Sequence, residues 1–102
     1  MILCFTLSMP NVGSWNGRWS GEKNLYAKVV NLGRSKKANE KAEHILSNEY
    51  FHYNFGDGWS AGVTVVAVDA AHARKIRRKS KGFCGYDWMV QSIIDKGKIE
   101  LA

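Results

Sequence analysis

The chain has one proline, Pro10, and two cysteines, Cys4 and Cys84, which lie far apart and form no CxxC pair. That scarcity excludes a proline-rich linker, a disulfide-stapled miniature scaffold and a two-cysteine metal knuckle. Reduced thiols, and with them a cytoplasmic setting, are the expectation. No apolar run approaches the ~20 residues that cross a bilayer, so no membrane partner is expected. The opening "MILCFTL" has no basic segment before it and reads as a first strand rather than a secretion signal. Repeats and low-complexity tracts are also missing. With 102 residues and 45% hydrophobic content, the sequence fits a single domain over residues 1–102.

Acidic residues are missing from one place in particular. The formal net charge is +6, and the stretch "ARKIRRKSKG" holds Arg74, Lys75, Arg77, Arg78, Lys79 and Lys81 with no carboxylate among them. Those six account for the whole excess, because the other nine bases balance nine acids. The protein is therefore near neutral with one strongly positive segment, which directs attention to a single anionic partner.

The patterning predicts an α+β fold in the order β-β-α-β-β-α-α-(β), with a mainly antiparallel sheet of four or five strands covered by helices over 35–47 and 86–96. Residues 2–8 read as a strand. In "LYAKVVNL", Leu25, Ala27 and Val29 alternate with Tyr26, Lys28 and Val30. From Ser35, an N-cap candidate, Ala38, Ala42, Ile45 and Leu46 recur at helical spacing. "EYFHYNF" and "GVTVVAV" form two strands joined through "GDGWSA", in which Asp57 and Gly58 suit a two-residue turn with positive φ at both positions. Asp69 is placed as the cap of a helix reaching about Lys81, with Ala70, Ala73 and Ile76 as its narrow apolar stripe. Asp87 is placed as the cap of the last helix, whose Met89, Val90, Ile93 and Ile94 face the core. "KIELA" adds a short final strand in this reading.

Arg74, Arg77, Arg78 and Lys81 recur every three or four residues and form one stripe, with Lys75 and Lys79 on its flank, so the helix can follow a row of phosphates. A solvated basic surface helix is the competing reading. Trp15, Arg18, Trp19, Asp57 and Trp59 sit in two glycine-rich loops, where indoles either stack on a ligand base or fold back over the core. Trp59 is expected to pack inward, against Phe51, Tyr53 and Phe55 or against Trp15 or Trp19, leaving a polar pocket rimmed by Arg18 and Asp57. His44, His52, Asp69 and His72 are weak metal candidates that match no standard zinc spacing, so neither metal nor cofactor is expected. Cys84 with His52 or His72 is the nearest approach to a nucleophile and base. "GFCGYD" is no protease signature, and a non-enzymatic protein is expected.

The stretches "SMPNVGSWNGRWSGEKNLYAKV" (8–29) and "YNFGDGWSAGVTVVAVDAAHARKIRRKSKGFCGYDWMVQSII" (53–94) resemble a family of small uncharacterised proteins of Firmicute prophages and other mobile elements. The resemblance carries no catalytic residues with it. It implies an anti-defence role, anti-CRISPR-like: a phage or mobile-element inhibitor of a bacterial defence nuclease that acts through the basic helix. Its partner would then be an acidic surface of a defence protein or a ribonucleoprotein. The alternative is a nucleic-acid-binding or nucleotide-binding accessory protein that uses the same stripe and the tryptophan–glycine loops.

Overall fold

The structure, a computed structural model, describes residues 1–8, 26–48, 50–80, 82–83 and 85–101. Its elements follow the order β1 (Ile2–Ser8), β2 (Ala27–Asn31), α1 (Lys36–Leu46), β3 (Phe51–Gly56), β4 (Trp59–Val68), α2 (Ala70–Lys79) and α3 (Asp87–Lys96). The four strands make one antiparallel sheet in the order β2-β1-β4-β3. The fold is α+β, as the patterning predicts.

Period-two alternation sorts the sheet into two faces. Leu3, Phe5 and Leu7 point to one face together with their neighbours Val30, Val65 and Val63. This face carries the main core, where Ala42 and Ile45 of α1 and Met89, Val90 and Ile93 of α3 complete the packing with Phe51, Ala61 and Phe83. On the opposite face, Cys4, Ala27 and Ile76 form a much smaller cluster, flanked by Val29 and Val68. Thus, among the described elements, α1 and α3 cover one side of the sheet and α2 lies on the other, over β2 and β1.

The helix starts follow from local chemistry in two cases. Ser35 Oγ accepts from the Ala38 amide at 3.1 Å, and Asp69 Oδ1 accepts from the His72 amide at 2.7 Å. Such caps stabilise by about 1 kcal/mol each. At α3 the expectation is corrected: Tyr86 is the N-cap and makes no side-chain capping bond, while Asp87 is the first helical residue. Its carboxylate instead meets Lys28 Nζ at 3.0 Å, across to β2. A carboxylate in the first turn still faces the positive end of the helix dipole, so the residue type is favourable there for a second reason.

The final strand is also corrected. Residues 97–101 form no strand; the buried Ser92 hydroxyl takes over the role of a partner strand. It donates to the Lys98 carbonyl at 2.7 Å and accepts from the Glu100 amide at 2.9 Å. Ile99 is thereby held in the core. The Lys98 ammonium beside Glu100, assisted by Lys96, holds that carboxyl below its usual range.

Candidate anion-binding surface

The apolar stripe of α2 is narrower than the sequence suggests, since Ala73 and Ile76 are buried and Ala70 is exposed. Those two side chains, with Ser80 Oγ donating to the Ala27 carbonyl at 3.0 Å, tie the helix to the sheet. Everything else on the helix faces outward. Arg74, Lys75, Arg77, Arg78 and Lys79 are all exposed, and Lys81 lies outside the described residues. Arg74, Arg77 and Arg78 together line a surface recess of about 380 Å³.

Among the described residues, none of Arg74, Lys75, Arg77 and Arg78 makes an ion pair. The ion pairs formed by Lys28, Lys96 and Lys98 lie elsewhere, with Asp87 and Glu100. Like charges three or four residues apart on a helix cost about 0.2–0.5 kcal/mol per pair. The position of Arg77, Arg78 and Lys79 in the last turn offsets part of this through the helix dipole. The cluster brings no packing in return for the remainder, so folding stability does not account for it.

Among the described residues, no other element covers the sheet beside α2. His72 and Ile76 of the helix, Thr6 of β1 and Thr64, Val66 and Val68 of β4 line a second recess of about 360 Å³, with Cys4 and Asp69 at its sides. Burial pushes the Cys4 thiol above its usual range, only partly opposed by a hydrogen bond with Thr6, so it serves as a small apolar side chain. Val66 of this recess is 55% exposed, and beyond it, on the same face, Tyr50 is 54% exposed. The Tyr50 ring lies over Gly62, where an added Cβ would come within 2.4 Å of its hydroxyl. It stacks with the exposed His52, the ring centroids 6.1 Å apart at an interplanar angle of 29°. Sequence reading passed over this pair, because neither residue sits in a glycine-rich loop. Its signal lay in the alternation, which sets Tyr50 and His52 opposite the core face of Phe51 and Tyr53.

The β3–β4 turn has the expected form, with Asp57 at φ 52° and Gly58 at φ 80°. The expectation for Trp59 is overturned: it is 47% exposed at the hairpin tip. Its place in the aromatic core is filled from α3. Tyr53 meets Trp88 edge-on at 5.2 Å and Phe55 at 4.9 Å, and Phe55 meets Tyr86 at 5.7 Å. The register shift between Asn54 and Gly56 accompanies the turn of Phe55 into that group, and the indole is left exposed. Accordingly, Trp59→Ala is expected to lower stability by less than about 1 kcal/mol in chemical denaturation, against roughly 3–5 kcal/mol for a buried aromatic. Asp57 is exposed at the same tip. Trp15, Arg18 and Trp19, and with them the expected loop pocket, lie outside the described residues, as does Cys84.

The four metal candidates fall in three places. Asp69 and His72 begin α2, and His52 is on the open face of β3. His44 lines a groove of about 730 Å³ between α1 and the end of α3, on the far side of the sheet. No three His, Cys, Asp or Glu side chains come together as a metal-binding group among the described residues. No described helix is long and apolar enough to cross a membrane. The class these features define is an α+β domain whose basic helix holds Arg74, Lys75, Arg77 and Arg78 without ion pairs among the described residues, beside a sheet face that no other described element covers. No protein-family model, curated protein or solved structure matches the chain.

Proposed function

We propose that this is a non-enzymatic binding protein that uses α2 to hold the phosphates of a nucleic acid. The observation that carries the reading is the convergence of Arg74, Arg77 and Arg78 on one recess with no ion pair to an acid among the described residues. Guanidinium groups offer planar, forked donors that match phosphate oxygens, and they are always charged. The resemblance to mobile-element proteins supplies the setting: a small protein that interferes with a host defence nuclease or ribonucleoprotein by engaging its nucleic acid.

The test is capture from host lysate with and without nuclease treatment, followed by binding of the purified protein to labelled RNA and DNA across a salt series. Capture lost on nuclease digestion is expected. So is a log–log salt slope of about −2 to −3, as three to four single-strand phosphates would give. A partner retained after digestion, with no affinity for the free nucleic acid, would instead identify an acidic protein surface as the target and overturn the nucleic-acid reading.

A further inference from the structure

Resting on that reading of α2, we infer that the nucleic acid is single-stranded and that its bases stack on the exposed Tyr50 and His52, on the half of the sheet that no other described element covers. The two features share one face. Tyr50 and His52 project on the side opposite Phe51 and Tyr53, and α2 is docked on that same side through Ile76. They also lie near one level. Ser80, at the end of α2, bonds to Ala27, which pairs with Thr6; two residues further along β1, Ser8 pairs with Gly62, over which Tyr50 lies. Strands are spaced by about 4.8 Å, so β3 and the α2 flank are separated by roughly 10–15 Å, a span of two or three nucleotides.

The aromatic pair is built to present a flat surface. Gly62 has no side chain, so the hydroxyl end of the Tyr50 ring lies over the strand backbone while the residue stays 54% exposed. An exposed aromatic ring suits a nucleobase of any identity, because every base has a π-face. A duplex offers no such contact, since its bases are already stacked and paired. Thr64 and Val66 continue the surface toward the helix, and neither carries a charge that would repel a phosphate.

The test uses fluorescence anisotropy with a labelled twelve-nucleotide oligothymidine, its ribo counterpart and a duplex of equal length, on the wild type and on Tyr50→Ala, Tyr50→Phe, Gly62→Ala and Arg74→Glu. The wild type is expected to prefer single strands. Tyr50→Ala is expected to weaken single-strand binding about 10-fold, Tyr50→Phe to restore it, and Gly62→Ala, which displaces the ring, to mimic the loss. Stacking releases no counterions, so Tyr50→Ala leaves the salt slope unchanged, whereas Arg74→Glu lowers it. If Tyr50→Ala binds oligothymidine as tightly as the wild type, or if the duplex is preferred, the stacking platform is overturned while the role of α2 stands. If the wild type binds none of the three probes, both fall.

Discussion

Replacing Arg74, Arg77 and Arg78 together by glutamate is expected to weaken nucleic-acid binding by about 100-fold or more at moderate salt, and to leave the thermal midpoint unchanged or raised. Each replacement reverses one charge, so the three take the formal net charge from +6 to about zero. What changes is more local than that. The recess they line turns from three donors into three acceptors that repel phosphate. Stability is insulated because all three side chains are exposed and none forms an ion pair among the described residues, so no structural partner is lost. Glutamate is also nearly as good a helix former as arginine, and the change turns the Lys75–Arg78 repulsion into attraction while position 74 still repels 77 and 78, now as carboxylates. Carboxylates in the last turn meet the negative end of the dipole, an opposing effect of a few tenths of a kcal/mol. Binding is read by anisotropy and folding by circular dichroism. Wild-type affinity in the folded triple variant would remove α2 from the function altogether.

The basic stripe was legible in the sequence because its signal is one-dimensional. Charges at three- and four-residue spacing fall on one side of any helix, and Asp69 supplied a start. The strands and their faces were legible for the same reason, since Leu3, Phe5 and Leu7 alternate with Cys4 and Thr6 whatever lies above them. What could not be read was competition between distant groups. Trp59 was expected inside because an indole gains by burial, but Tyr86 and Trp88, far along the chain, already occupy that space. Asp87 was expected to cap α3, but Lys28 on β2 engages its carboxylate. Ser92, unremarkable in sequence, organises the last residues through two backbone groups that become neighbours only after α3 turns back at Gly97. The pairing of Tyr50 with His52 was not legible, and His52 stood out only as a metal candidate or base, because ring stacking depends on where the strand places both side chains. Among the described residues, the exposure of the other half of the sheet follows from α2 sitting over β2 and β1, a placement no local pattern encodes.

Ile76→Asp is expected to release α2 from the sheet while the rest of the domain stays folded. Ile76 is almost fully buried, and it is the helix's only large apolar anchor among the described residues. A carboxylate placed there faces Cys4 and Ala27, with no cation in the cluster to pair with it, at a cost of several kcal/mol. That cost exceeds what Ala73 and one Ser80 hydrogen bond contribute to docking. The main core holds no residue of α2, so Leu3, Phe5 and Leu7 remain packed under α1 and α3. The response is therefore local unfolding rather than global. Amide exchange is expected to lose protection across residues 70–79 and to keep it in β1, β4, α1 and α3. Mass spectrometry after alkylation should show Cys4, buried and held as an unreactive thiol in the wild type, becoming modified. Binding is expected to fall as far as in the arginine variant, because the cations lose their common geometry. Phe5→Ala provides the contrast. It removes a fully buried ring from the main core, costs roughly 3–5 kcal/mol of a total of about 5–15, and lowers protection in every element at once. If Ile76→Asp erased protection as uniformly as Phe5→Ala, α2 would be integral to the fold, and its loose attachment on a small separate cluster would be refuted.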